Sequence, residues 1–447
     1  MSSQSQASNF AQHDAQLRAV LDWLAETPPT ADQAVAARAR LLLLDTLGCA
    51  LAGLGRDEVA AYVARLSAGD ATACPGFPPG LSPSHLGQAM ALAACWDEAC
   101  EGMAAAHGRP GLHAVPAAVA LALESDARLA DTLDALVVGY EIGARLGAAW
   151  RIRAGMHVDG TWGTIAAAAS AAAVMHARAR DALSNAVEAA ACLIPASLYA
   201  PARQGATTRN LYAAHAVSRG IETALALTAG ITAPQQAIGQ AAALTFDPTQ
   251  AVALTPPGPW LVLQGYFKPF AAVRHVHYGA QAGLDWRATF GTDTESITAI
   301  GLQTYPEAAT YCGNRAPTTA IQAQFSLTYG LAHALARGGL GPDAYDVNAL
   351  RDPEINRLEA LTVVEETGAF DTGRGATLTI EANGRETNVS VDRVDGDTDQ
   401  PMTREAVVAK FLKFATPRLG AETAADLAHR IVDTPLSQPL TRVLSGD

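Results

Sequence analysis

Lysine is nearly absent from this chain of 447 residues. Of its 31 basic residues only Lys268, Lys410 and Lys413 are not arginine. Net positive charge is absent too: 44 acidic residues leave a formal charge of −13, which excludes the basic face that nucleic-acid binding needs. It does not exclude a small anionic ligand, because a local Arg/Lys pocket in an acidic protein can hold one. The six cysteines (49, 74, 95, 100, 192, 312) form no CxxC pair and read as free thiols of a reducing compartment. There is no strongly apolar run. The most apolar uncharged stretch, 160–177, is mainly Ala, Gly and Ser, too weakly hydrophobic for a membrane span and suited to a buried, closely packed helix. The start, MSSQSQASNFAQHDA, lacks a basic segment followed by an apolar one and reads as a polar tail, not a signal peptide. Together these absences predict a cytoplasmic protein without membrane or nucleic-acid partners. Nucleotide signatures are missing as well: there is no GxxxxGK[ST] and no GxGxxG after a strand.

What is present is apolar and alanine-rich. Apolar residues make up 49% and charged residues 17%, enough for a large core, and the length predicts two domains. Helical patterning runs from near residue 15 to about 245, with helices expected over 34–52, from residue 88 after a Pro/Gly loop (74–90), and over 116–124, 133–150, 161–180 and 215–228. Beyond 250 the pattern changes. Strand composition marks 296–305, 360–366, 376–382 and 386–392, with Asn383-Gly384-Arg385 as a hairpin signal, and a helix is expected over 318–336. Helix returns at 405–415 and 422–432. The expected architecture is mainly α: an all-α domain of 1–265 plus 403–447, with a smaller α+β lid domain (268–400) inserted.

Polar groups in apolar surroundings mark five places: CWDEAC (95–100), HGRPGLH (107–113), GMHVDGTWG (155–163), TTRNLY (207–212) and GYFKPFAAVRHVHYG (265–279). His157 precedes a helix start, where backbone N–H groups favour an anion and the dipole disfavours imidazolium, so it reads as a neutral base or as a cap. Arg109, Arg209 and Arg274 are suited to clamp carboxylates, and Lys268 to act as a point charge, although isolated arginines are more often surface residues. His275-x-His277 lacks a nearby third ligand, so no metal is expected there.

These segments, taken in order, resemble the MmgE/PrpD family, which contains 2-methylcitrate dehydratase, cis-aconitate decarboxylase and iminodisuccinate epimerase. LLLLDTLGCALAG (41–53) and GYEIGARLG (139–147) are similar to two of its helices, and GMHVDGTWGTIAAAASAA to its FHxTGTxG segment. FKPFAAVRHVH is similar to KPYPxCRxxH, RAPTTAIQAQFSLTYGLAHAL (315–335) to RxPxTxxxAxFSxxY, and PMTREAVVAKF (401–411) to PMTxxEVxxKF. The resemblance spans roughly 30–435 and implies a homodimer without organic cofactor. It implies a site between the domains where a proton is removed next to a carboxylate of a small polycarboxylate. His157 and Lys268 fall on positions that carry catalysis in relatives, and Asp97 on a retained acid. Arg274 and His275 lie in the lysine signature, Tyr329 in the FSxxY stretch, and Arg209 where relatives often have Lys.

The chain also departs from the pattern. Where relatives read DxDDT it has Cys95-Trp96-Asp97-Glu98-Ala99, and Arg109 stands in place of a His, for which His107 is a candidate substitute. The resemblance thus implies catalytic roles for His157, Lys268, Asp97 and His107, and substrate binding by Arg274, Arg109, Arg209, His275 and Tyr329. A dehydratase-type lyase on a 2-hydroxy di- or tricarboxylate is the leading expectation. An epimerase or isomerase of a dicarboxylate, with Cys95 as a second acid/base, comes next, then a decarboxylase, then an inactive binding subunit.

Overall fold

Small residues set how closely the central helices approach. The computed structural model describes residues 3–67, 74–368, 370 and 373–446, and their side chains except at 3–9 and 11. In it the Thr161–Met175 helix is buried from Thr161 through Ala173. Its neighbour, Leu129–Ala149, presents Gly139, Gly143 and Gly147 at four-residue spacing, one face of a helix. A Cβ at Gly139 would lie 2.0 Å from Ser170 Oγ and 2.6 Å from the Ala166 carbonyl oxygen; at Gly147 it would lie 2.9 Å from the Trp162 ring. Gly139→Ala is therefore expected to cost about 1–3 kcal/mol by overpacking, read from a lower urea midpoint. An unchanged midpoint would contradict this account of the packing.

Around this pair lie the helices Pro110–Glu124, Leu211–Thr228, Pro83–Trp96 and Gln33–Gly53, and Arg404–Leu419 returns to pack on Gln33–Gly53. The strands β1 (Ile297–Thr304), β2 (Thr362–Glu366), β3 (Ala376–Ala382) and β4 (Arg385–Val391) form one mixed sheet in the order β2-β1-β3-β4. β1 pairs β2 in parallel and β3 antiparallel. The connection from β1 to β2 runs through helices, as a parallel pair requires. Asn383 and Gly384 take φ of 52° and 71°, the left-handed pair that a tight hairpin turn needs. Ala376, Leu378 and Ile380 bury one face of β3, and the His277–Phe290 helix packs over β3 and β4.

Several boundaries differ from those the sequence predicts, each for a local reason. The helix expected from residue 88 starts at Pro83, because Ser82 accepts from the His85 N–H and proline fits the first turn. The one expected from 116 starts at Pro110, again with proline in the first turn but with no side-chain cap, and carries Pro116 inside. The helix expected over 318–336 is two, Ala320–Gln324 and Leu327–Arg337, the second capped by Ser326. The expected polar tail is helical from Ser3, and near its end His13 accepts from the Trp150 indole (3.2 Å) and Asp14 from the Gly239 N–H. Among the described residues no helix is long and apolar enough to cross a membrane.

Candidate active site

The site begins where the Pro83–Trp96 helix ends. Asp97 caps it with φ −95°, and Glu98 turns into the left-handed region at φ 53°, uncommon for a residue with a Cβ. That reversal sends two adjacent acids different ways. Asp97 meets Arg56 (3.0 Å), whose guanidinium also reaches Asp346 and the Pro342 carbonyl. Burial, opposed by Arg56, pushes the Asp97 carboxyl up to about 6. Glu98 turns inward onto three buried cations: Arg109 Nη1 (3.0 Å), Lys268 Nζ (3.1 Å) and Arg209 Nη2.

The loop carrying these groups is pinned from beneath. Lys410 donates to the Ala99 carbonyl and to Asp45, both at 2.6 Å. Asp45 accepts from the Glu101 N–H (3.0 Å), and Glu101 from the Gly111 N–H (2.6 Å) at the start of the next helix. A second of the three lysines is thus accounted for, as a buried strut.

Asp159 supplies the second carboxylate, just before the Thr161–Met175 helix. Its Oδ2 pairs with Arg109 and lies 3.5 Å from Arg209 and 3.9 Å from His157 Nδ1. Burial would raise its pKa, but Arg109, His157 and His113 overcome that and hold the carboxyl at about 2. His157 accepts the Asp159 N–H at Nδ1 (3.0 Å), so the proton of its neutral ring sits on Nε2. Burial lowers its pKa, Asp159 opposes and Arg109 assists. The ring stacks on Tyr199, with centroids 5.8 Å apart.

Lys268 comes from the irregular segment before the His277–Phe290 helix. Gly396, at φ 92°, lets a distant loop close over it: a Cβ there would meet the Phe267 carbonyl oxygen at 1.8 Å. Lys268 Nζ also donates to the Glu98 carbonyl (2.7 Å). Burial first, then Arg109 and Arg209, lower its pKa to about 7, with Cys100 opposing. The Glu98 carboxylate favours the ammonium, so a weaker Glu98 contact means a more readily neutral amine.

Of the residues singled out in the sequence, His157, Lys268, Arg109, Arg209 and Cys95 come together. The others lie elsewhere. Asp97 faces Arg56. His107, half-exposed with φ 50°, sits 3.9 Å from Glu307. Arg274 is buried against Asp397 and the Val394 carbonyl, with its guanidinium over Tyr266 and Tyr278. His275 pairs with the Tyr305 hydroxyl (2.6 Å), while His277 Nε2 donates to the Ala272 carbonyl (3.0 Å), so the two rings serve different partners. The Tyr329 hydroxyl donates to the Ala344 carbonyl (2.5 Å), away from the cluster.

Glu98, Asp159 and Asn210 complete the cluster and were not singled out as site residues. The signal for Asp159 was its place two residues after His157. Nothing local separates Glu98 from Asp97 until the backbone reverses. Cys95 Sγ lies 3.3 Å from both Arg109 Nη2 and Arg209 Nη1. Cys95, Glu98 and Asp159 form the one trio among the described residues whose ligand atoms lie within 4.8 Å of one another, as a metal ion would need. Both guanidiniums already neutralise that trio.

The family models of the MmgE/PrpD N-terminal domain and C-terminal domain match residues 18–245 and 270–434. The chain belongs to the MmgE/PrpD family. Membership suggests dehydratase-type or related lyase activity. None of the curated proteins matches the chain significantly. Cys95 and Glu98 each touch both Arg109 and Arg209.

Proposed function

We propose a cofactor-independent lyase of the dehydratase type, acting on a small 2-hydroxy di- or tricarboxylate by removing the proton next to a carboxylate. The observation that carries this reading is Lys268: a fully buried amine beside two guanidiniums, its pKa near 7. A base with that pKa is neutral in a large fraction at neutral pH and still basic enough to take a C–H proton activated by a carboxylate. Arg109 and Arg209 supply fixed positive charge for the enolate-like oxygens that develop. The Nε2–H of neutral His157 hydrogen-bonds the departing hydroxyl, which takes the proton now on the Lys268 ammonium and leaves as water while the carbon–carbon double bond forms. Lys268 is thereby returned to its neutral form. The same proposal divides the chain into an all-α domain (1–265 plus 403–447) and an α+β lid (268–400). Lys268 on Glu98, Gln324 on the Trp96 carbonyl (3.0 Å) and Arg56 on Asp346 are contacts across that division.

One observation favours a second reading, epimerisation of a dicarboxylate. Asp97 is turned to Arg56, which leaves the cluster without one acid that an eliminating enzyme would use, and epimerisation needs only proton removal and return. Incubation in D2O with citrate, 2-methylcitrate, cis-aconitate, malate, tartrate and iminodisuccinate isomers, followed by proton NMR, separates the two. Vinyl signals mean elimination. Deuterium at carbon without a vinyl product means epimerisation, and no change with any of these acids would contradict both. In either case kcat/KM is expected to rise with pH through about 7, as Lys268 loses its proton. Burial sets this value together with Arg109, Cys100, Arg209 and Lys410, and the Glu98 carboxylate faces the same amine at 3.1 Å.

A further inference from the structure

All four Nη atoms of Arg109 and Arg209 are engaged by the protein itself. Arg109 Nη1 meets Glu98 and Cys100, and Nη2 meets Asp159 and Cys95. Arg209 Nη1 meets Cys95 and Asn210, and Nη2 meets Glu98 and Asp159. A substrate carboxylate therefore reaches either arginine only by taking a partner's place. We propose that Glu98 is that partner and a specificity-determining residue. It is an internal carboxylate standing where a substrate carboxylate binds, and only an acid with at least two carboxylates displaces it. The inference rests on the polycarboxylate reading of this site.

Three observations single out Glu98 over Asp159. Glu98 alone reaches all three cations, including the proposed base, so its departure frees Lys268 as well as both arginines. Its backbone φ of 53° is a strained setting for a residue with a Cβ, and its longer side chain can swing out about its own torsions. Asp159 instead is fixed at the start of a buried helix, with its own backbone N–H held by His157. In the same cluster, Arg209 Nε and Asn210 Nδ2 are buried donors without an acceptor, on residues joined by the Arg209 Nη1 bond to Asn210 Oδ1 (2.8 Å). They are ready for the oxygens of a larger ligand.

The charge balance gives the selectivity. A monocarboxylate exchanges one set of ionic contacts for the set that Glu98 already makes and gains little. A second carboxylate adds contacts that Glu98 cannot supply. While Glu98 holds the cations, the form of the protein that can take an acid is rarely populated. Every acid binds more weakly by that fraction, and only one with further carboxylates binds measurably. Removing the competitor restores the affinity.

The test is calorimetry on the full chain with tricarballylate, which has three carboxylates but no hydroxyl to eliminate, and with butyrate. Wild type is expected to bind tricarballylate and to bind butyrate at least about a hundredfold more weakly. In Glu98→Gln both acids are expected to tighten by about tenfold or more, which brings butyrate binding into the measurable range. Glu98→Gly, which also relieves the positive φ, is the second variant. Tricarballylate should raise its melting temperature more than it raises that of wild type. Weaker or unchanged tricarballylate binding in both variants overturns the proposal while leaving the polycarboxylate reading intact. If no protein, wild type or variant, binds tricarballylate, both fall.

Discussion

Lys268→Met is expected to lower kcat/KM by about a hundred- to ten-thousandfold, the usual contribution of a positioned general base. Methionine keeps most of the stem volume and removes only the amine, so the loss would report on proton transfer and not on packing. Lys268→Arg should fail to restore turnover, since a guanidinium stays protonated at any working pH and cannot take a proton. The pair of variants separates two roles. If Lys268 served only as a positive charge for a carboxylate, arginine would rescue much of the activity and KM would carry the defect. If it is the base, both variants lose kcat. Wild-type kcat/KM in Lys268→Met would remove this residue from the mechanism.

Arg109→Met is expected to destabilise the protein by about 3–5 kcal/mol, the cost of breaking a buried ion pair from one side. Arg109 is 5% exposed and joins Asp159, Glu98, Cys95 and Cys100 in one contact set. Without it Asp159 keeps the 3.5 Å contact to Arg209 and the nearby His157 and His113, and its carboxylate is only partly compensated. Adding Asp159→Asn to Arg109→Met should recover about 1 kcal/mol or more, because the stranded charge is removed with its partner. Denaturant unfolding of the two single variants and the double variant measures both effects. Arg109→Met within about 0.5 kcal/mol of wild type would mean the pair is not the strut described here.

How far this was legible in the sequence differs from residue to residue. Lys268 stood out because lysine is so rare, and His157 because it precedes a run of Gly and Thr at a helix start. The hairpin at Asn383-Gly384 and the strand 376–382 were readable because turn chemistry and two-residue alternation are local. Helix starts at Pro83 and Pro110 were not, since proline in a first turn looks like loop until its cap is seen. Arg274 shares a signature with Lys268, yet its partner Asp397 lies more than a hundred residues on, in a loop whose closure depends on Gly396. The choice between Asp97 and Glu98 depended on one backbone angle, and composition carries no trace of it.

The central claim is that Lys268 removes a proton next to a carboxylate. It is tested most directly by the loss of that C–H signal in D2O, followed by proton NMR, for wild type and Lys268→Met from about pH 5 to 9. The expected result is a rate that climbs through an inflection near pH 7 in wild type and is lost in the variant. A rate that is flat across this range, or equal in the two proteins, would contradict it.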